Sequence, residues 1–298
     1  MGGSCFGYRP VSDLAFEYLR EGDGDPLEVR ERDSGGEEPG GSLLAEWTPI
    51  PGKRLWARLH DEGEAYRLWV DGGGTFRIDP RTPSIEVPAR GETPVRREER
   101  LWGIPAVLCL RARGDLPLHA AAVDLGGEAV LLAGPGYSGK TTLAAGFDAA
   151  GHRVLSEDLS CIRLGPAPAV IPGPAMLRIR RDVAERLALS GARDVAAGDD
   201  RVHFSLDPSR RGDSRPVPLR AVVMLRPSQN GLALEEVSAA DALRDLWSLS
   251  FRLPGVEDRA VSFRGLAALA DGVRVWNLAR PLRLSELGRT VETIAAHV

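Results

Sequence analysis

The chain has 298 residues, of which 43% are hydrophobic and 27% are charged, as in an ordinary soluble globular protein. This length predicts one large domain or two smaller ones with a substantial core. The net charge of −4 gives no reason to expect nucleic acid or an anionic membrane as a partner. Cys5, Cys109 and Cys161 have neither metal-ligand nor redox spacing, which favours a reducing, cytoplasmic setting, and no apolar run is long enough to span a bilayer.

The first part of the chain, residues 1–95, has short alternating segments that predict a β-rich domain. Residues 66–79 contain two strand-like runs around a glycine turn, which predicts a hairpin. Residues 53–60 and 83–88 predict further short strands. Residues 21–40 are polar and rich in glycine, so we expect a mobile loop or a poorly ordered stretch there.

After residue 95 the pattern changes to apolar strand runs that alternate with helical segments. This alternation predicts an α/β domain over residues 96–298. Its predicted elements are an interrupted helix over 94–115 with a break near Gly103 and Pro105, strands over 120–125, 129–133 and 221–227, and amphipathic helices over 239–251 and 284–298.

Residues 134–142 read GPGYSGKTT and match the phosphate-loop pattern G-x-x-x-x-G-K-[ST]. A strand-like run precedes them, and a helical segment that Gly151 can cap follows them. Glycines let backbone N–H groups turn towards a phosphate, and the helix N-terminus adds partial positive charge. Lys140, one of only two lysines in the chain, can reach the β- and γ-phosphates, and the Thr141 hydroxyl can bind Mg²⁺. The sequence therefore predicts an ATP site formed by Gly134, Pro135, Gly136, Tyr137, Ser138, Gly139, Lys140, Thr141 and Thr142.

Further polar residues lie close to this loop in the sequence. Glu157 and Asp158 follow a short apolar run, where one carboxylate can hold Mg²⁺ and the other can accept the proton of an attacking hydroxyl. A solvated acidic turn is the alternative. His119 is either a hydrogen-bonded core histidine or a proton or phosphate partner near the acids, and its position does not decide between them. The arginines of residues 178–181 either bind phosphate or form a solvated basic face.

The order of these motifs resembles the catalytic domain of the HPr kinase/phosphorylase family. The matching features are His119, a glycine hairpin at 126–127, the loop 134–141, a Gly-His-Arg turn at 151–153 and the acid pair. An acid pair so soon after the loop is typical of a P-loop kinase core of the HPr kinase / PEP carboxykinase type. The stretches LPLHAAAV and SEDLSCI look still more like the HPr-kinase-like proteins of peptide biosynthetic clusters, some of which phosphorylate a serine of a lasso-peptide precursor. The second family signature, glutamate-x-arginine-glycine, is not visible after residue 170, which argues against HPr itself as the substrate.

The resemblance implies an α/β kinase core with a smaller β-rich N-terminal domain, using ATP and Mg²⁺. It implies that Asp158, His119 and Lys140 are catalytic and that Thr141, Glu157 and Asp158 hold the metal. The expected activity is transfer of the γ-phosphate to a Ser or Thr hydroxyl of a peptide or protein. A kinase of a small hydroxylated metabolite and a catalytically silent ATP-binding regulator are the alternatives. We expect no nucleic-acid or membrane partner, and a homo-oligomer is possible.

Overall fold

A computed structural model describes residues 2–33, 40–48, 56–89, 92–187, 192–193, 200–206 and 208–298. The strands of these residues are, in chain order, β1 (Gly3–Ser4), β2 (Tyr8–Val11), β3 (Arg20–Glu21), β4 (Asp25–Arg32), β5 (Ser42–Trp47), β6 (Ala57–Asp61), β7 (Tyr66–Val70), β8 (Gly74–Asp79), β9 (Ser84–Pro88), β10 (Leu116–Leu118), β11 (Ala120–Asp124), β12 (Ala129–Ala133), β13 (Arg153–Ser156), β14 (Ser160–Arg163), β15 (Ala169–Ile171), β16 (Met176–Arg180), β17 (Ala192–Arg193), β18 (Arg201–Ser205), β19 (Val217–Pro227), β20 (Ala233–Glu236) and β21 (Arg274–Arg280). The helices are α1 (Pro94–Leu101), α2 (Ile104–Ala112), α3 (Lys140–Ala149), α4 (Arg181–Arg186), α5 (Pro208–Arg211), α6 (Ala239–Leu249), α7 (Val256–Gly272) and α8 (Leu287–His297), with a 3₁₀ turn at Leu284–Glu286.

The N-terminal part forms a sheet with the strand order β2-β4-β9-β8-β7-β6-β5. The predicted hairpin is confirmed, because Tyr66 of β7 pairs with Ile78 of β8 in an antiparallel register. The strand predicted over 83–88 is confirmed as β9. The strand predicted over 53–60 is confirmed from Ala57 onwards, and its residues 53–55 lie outside the described part of the chain.

The loop predicted over residues 21–40 was wrong where β4 lies. Leu27 and Val29 of β4 are buried, and Glu28 between them is exposed. The strand is held between β2 and β9, with parallel pairing on both sides. The high content of charged residues made this half-buried strand look like a loop, although its alternation is that of a strand. Residues 34–39 lie outside the described residues.

A second, mixed sheet carries the glycine-rich loop. Its strand order is β10-β14-β15-β19-β12-β11-β13, with β21 added parallel to β19 and β20 antiparallel to β21. All five residues of β12 are buried, because its side chains alternate between two cores. Helices α3 and α8 cover one face and α6 and α7 cover the other, which confirms a mixed α/β fold.

The two sheets share a core. Leu101 and Trp102 at the end of α1, together with residues of α2, pack in the same apolar cluster as the N-terminal strands. Cys161 of β14 and Ile171 of β15 join that cluster from the second sheet. The break between α1 and α2 confirms the predicted interruption near Gly103 and Pro105. The division of the chain at residue 95 stays a prediction.

Arg20 joins the N-terminal segment to the strand that leads to the acid pair. Its buried guanidinium donates to the carbonyl oxygens of Gly173 at 2.8 Å, Val154 at 2.8 Å and Leu155 at 3.1 Å. Burial and the nearby charge of Arg153 lower the pKa of Arg20 to about 9. These bonds fix β13 directly before Glu157 and Asp158. Within the described ranges, no helix combines the length and apolar character needed to cross a membrane.

Candidate functional site

The glycine-rich loop connects the end of β12 to the start of α3, as the sequence predicts. Gly139 precedes α3 with a φ of 84°, a left-handed backbone that glycine adopts without strain. Tyr137 also has a positive φ, of 64°, and its residue is 78% exposed at the tip of the loop. The exposed ring is free to stack on a base or ribose of a bound nucleotide.

Lys140 begins α3 and turns its side chain back under the loop. Its ammonium donates to the carbonyl oxygens of Gly134 at 2.9 Å and Pro135 at 3.1 Å, and to Nε2 of His119 at 2.9 Å. The residue is only 5% exposed. Burial lowers the pKa of Lys140, and the charges of Asp158 and Glu157 partly oppose that shift. Three acceptors therefore hold the ammonium at the floor of the loop.

His119 lies at the edge of the cleft, with about 40% of its side chain exposed, and not in a core. Its Nδ1 lies 3.1 Å from the backbone oxygen of Asp158, while its Nε2 faces the Lys140 ammonium. These partners assign a neutral ring that donates from Nδ1 and accepts at Nε2. Burial lowers the pKa of His119, which agrees with that neutral state; the Asp158 carboxylate acts in the opposite direction.

The two adjacent acids have different environments. Glu157 is buried, and its Oε1 accepts a hydrogen bond from the Thr141 hydroxyl at 2.5 Å. Burial first, and the neighbouring charge of Asp158 second, raise the pKa of Glu157 to about 7. The Asp158 side chain is 52% exposed and faces the cleft. One acid thus lies beneath the helix start, and the other is available to a bound molecule.

The chemistry of these oxygen donors fits Mg²⁺. Thr141, Glu157 and Asp158 offer a hydroxyl and two carboxylates at the start of α3, and Mg²⁺ prefers oxygen ligands of this kind. Among the described residues, no group of three His, Cys, Asp or Glu side chains forms a dedicated metal site. Mg²⁺ is commonly held by one or two carboxylates together with substrate phosphates and water.

These residues surround a cleft of about 440 Å³. The predicted residues that line it are His119, Gly136, Tyr137, Gly139, Lys140, Thr141, Thr142 and Asp158. The others support it: the carbonyls of Gly134 and Pro135 hold Lys140, Ser138 is buried within the loop, and Glu157 holds Thr141. The geometry therefore brings all of the predicted site residues together, while their chemical roles stay predictions.

Arginines that the sequence left undecided or missed also line the cleft. They are Arg178, Arg180, Arg186, Arg201, Arg280 and Arg283. Arg280 lies at the end of β21, only 3% exposed, and its Nη2 donates to the carbonyls of Ser138 and Gly139 at 3.2 Å each. Burial lowers its pKa to about 10, and no carboxylate pairs with it among the described residues. No local motif marks Arg280, since its partners are 141 and 142 positions away.

A buried carboxylate ties the N-terminal half of the chain to this cleft. Glu99 of α1 accepts from Arg178 at 2.6 Å and lies 2.9 Å from Nε2 of His203, whose Nδ1 bonds to the Tyr18 hydroxyl at 3.0 Å. Burial disfavours the ionised carboxyl, but His203 and the arginines Arg178 and Arg96 outweigh it and lower the pKa of Glu99 to about 2. Arg178 is thus oriented by an ion pair and is not part of a purely solvated basic face.

Comparisons with known proteins add little to this geometry. No protein-family model matches the chain, and no curated protein is similar to it. Among solved structures, the HPr(Ser) kinase/phosphatase from Coxiella burnetii is similar, with 11% identity and a TM-score of 0.33 over 60% of this chain and 93% of that chain. That protein bears the name of the family that the motif region resembles. At this identity and TM-score, the likeness supports neither a shared site nor a shared activity.

Proposed function

We propose that this protein is an ATP-dependent kinase that transfers the γ-phosphate to a Ser or Thr hydroxyl of a peptide or protein, such as a biosynthetic precursor peptide. One observation carries the proposal: His119 bonds to both Lys140 and the backbone of Asp158, so the loop lysine and an accessible carboxylate belong to one cleft. The arginines around that cleft support a ligand with several negative charges.

The residues have separate tasks in this proposal. The loop N–H groups, the start of α3 and the Lys140 ammonium bind and orient the phosphates. Thr141 and Glu157 would hold Mg²⁺ together with Asp158, and the bound metal would neutralise charge on the phosphate oxygens. Tyr137 is placed to cover the nucleotide.

Asp158 accepts the proton of the attacking hydroxyl in this proposal. The acceptor oxygen forms a bond to the γ-phosphorus while the bond from that phosphorus to the ADP oxygen breaks. The hydroxyl proton passes to the Asp158 carboxylate and then to solvent, which leaves a phosphate monoester and ADP. A half-exposed carboxylate suits this task, because it must meet the acceptor and afterwards release the proton.

The cellular setting in this proposal is the cytoplasm. Cys5, Cys109 and Cys161 are buried and unpaired, which fits a reducing compartment.

Incubation with Mg²⁺ and ATP tests the proposal against its alternatives. Ser- and Thr-containing peptides, sugars and free hydroxy amino acids serve as acceptors, with the Lys140→Ala variant as the inactive control. Mass spectrometry with fragmentation should locate added phosphate on Ser or Thr of a peptide. Phosphate on a sugar or free amino acid alone would favour a metabolite kinase, and ATP binding without any transfer would favour a silent regulator.

A further inference from the structure

A second cavity, of about 190 Å³, adjoins the cleft that holds the glycine-rich loop. Asp158 and Arg178 line both spaces, whereas the loop residues line only the cleft. A molecule in this cavity therefore meets the Asp158 carboxylate without occupying the place of the phosphates. In the proposed kinase, the group that carries the acceptor hydroxyl lies beside Asp158, and this cavity offers such a place.

Most of the wall of this cavity is apolar. The N-terminal sheet supplies part of it, the junction between α1 and α2 supplies another part, and the start of β16 closes it; the main apolar residues are Trp56, Leu68, Val70, Trp102, Ile104 and Met176. Trp56 is 41% exposed, so part of its side chain is accessible to a molecule in the cavity. The wall therefore favours an apolar occupant.

The two arginines in the wall already have carboxylate partners. Arg178 donates to Glu99 at 2.6 Å, and Arg100 lies 2.6 Å from Glu92. An acidic occupant would find no free counter-ion in these pairs and would face the carboxylates of Glu157 and Asp158. Because a buried charge without a partner is costly, the cavity selects a neutral group.

The size of the cavity limits the occupant further. An engineered apolar cavity of about 150 Å³ in another protein binds benzene. A cavity of about 190 Å³ therefore holds one aromatic ring or one branched aliphatic side chain, and not a bicyclic cofactor. Neighbouring residues of a peptide are about 3.8 Å apart between Cα atoms, so a side chain next to the acceptor residue can enter while the hydroxyl stays at Asp158.

We propose that this cavity binds the apolar side chain adjacent to the acceptor hydroxyl, so that the substrates are peptides in which the Ser or Thr neighbours an aromatic or branched aliphatic residue. This inference rests on the proposed kinase function, because it assigns the acceptor position of that reaction. The inference specifies which residue neighbours the acceptor in the substrate peptide, which the sequence motifs of this protein do not predict.

A probe without a hydroxyl tests the cavity independently of catalysis. N-acetyl-phenylalanine amide should bind to the wild-type protein in calorimetry, and N-acetyl-aspartate amide should not. The Ile104→Asp variant places a charge in the cavity at the first residue of α2, where an acid also suits the helix N-terminus. It should weaken binding of the phenylalanine probe at least about tenfold, because the ring would lie against an unpaired carboxylate.

Two further variants keep the test independent of folding. Phe263→Asp is the matched control, since Phe263 is an apolar residue of α7, 50% exposed and outside the cavity. It should leave probe binding unchanged, and both aspartate variants should keep the ATP affinity of the wild type. The Trp56→Ala variant should lower the affinity for the phenylalanine probe. It should still fold, because Trp56 is partly exposed.

Phosphorylation of matched peptides completes the test. Peptides with Phe or Leu beside the serine should be phosphorylated at least about tenfold faster than peptides with Asp there, as expected for an apolar pocket against a charge. Equal rates, or a probe that binds Ile104→Asp as well as wild type, would overturn the inference and leave the kinase proposal standing. Probe binding without transfer to any hydroxyl would overturn the kinase proposal, and with it the acceptor role of the cavity.

Discussion

The Lys140 ammonium donates a hydrogen bond to Nε2 of His119 over 2.9 Å. The other ring nitrogen of His119 lies 3.1 Å from the backbone oxygen of Asp158. The imidazole therefore connects the proposed phosphate-binding lysine to the turn that carries the proposed proton acceptor. A neutral ring satisfies both bonds, so we propose that His119 positions its two neighbours.

The His119→Ala variant should therefore lose turnover and keep ATP affinity. Misplacement of reacting groups by about 1 Å can lower a rate roughly 10²-fold, and we expect an effect of that size on ATP turnover. His119→Gln should restore part of it, because its amide can also accept from Lys140 and donate to Asp158. Phosphate release and calorimetry measure the two effects, with His152→Ala as a control outside the cleft. No rescue by glutamine together with a shifted pH profile would indicate proton transfer instead.

Removal of the lysine should abolish nucleotide binding without unfolding the protein. In Lys140→Ala, ATP affinity should fall at least about a hundredfold, because hydrogen bonds to charged groups contribute roughly 1.5–3 kcal/mol each. The variant should still fold, because the Lys140 side chain lies under the loop and not in an apolar core. Calorimetry on the folded variant measures the ATP affinity. An unchanged affinity would contradict the proposed phosphate-binding role of Lys140.

Asp158→Asn should separate binding from transfer. The amide keeps the shape of the side chain but cannot accept the proton, and loss of a general base lowers rates by about 10²–10⁴. ATP affinity at saturating Mg²⁺ should stay near that of the wild type, and the variant should need more Mg²⁺, because Asp158 is also a proposed metal ligand and an amide binds Mg²⁺ more weakly than a carboxylate. Wild-type turnover in this variant would exclude both roles and direct attention to Glu157.

Stability without ligand should fall with rising pH because of Glu157. Its pKa is raised in the folded protein from 4.5 to about 7, so folding favours the protonated carboxyl. That contribution is complete below pH 4.5 and is lost as the pH rises to about 7. Urea unfolding in the presence of a chelator measures it. Glu157→Gln should flatten the slope in this range, and parallel curves for the two proteins would refute the assignment.

The local features of the site were predictable from the sequence, and its long-range contacts were not. The loop, the start of α3 and the acid pair each depend on a few consecutive residues. The strands around them have clear apolar runs. Arg280, in contrast, reaches the loop from the end of β21, and Glu99 reaches Arg178 from a helix 79 positions earlier. Such pairings depend on how sheets and helices pack. The cavity beside Asp158 was invisible for the same reason.

Arg280 gives a prediction that only the structure provides. Arg280→Met keeps a long apolar side chain but removes the hydrogen bonds to the Ser138 and Gly139 carbonyls. ATP affinity should fall about tenfold, because two charge-assisted bonds no longer fix the loop. Arg274→Met is the matched control on the same strand, since Arg274 is exposed and pairs with Glu236. Equal ATP affinity in the two variants would show that Arg280 only supports the fold.

The central claim is that one cleft binds ATP through Lys140 and directs its γ-phosphate to a peptide hydroxyl through Asp158. The most direct measurement follows labelled γ-phosphate from ATP to a serine peptide with an apolar neighbouring residue, for wild type, Lys140→Ala and Asp158→Asn, while bound ATP is quantified in the same samples. The account predicts that wild type binds ATP and labels the serine, that Asp158→Asn binds ATP without labelling, and that Lys140→Ala does neither. Labelling by Asp158→Asn at the wild-type rate, or ATP binding by Lys140→Ala at the wild-type level, would contradict it.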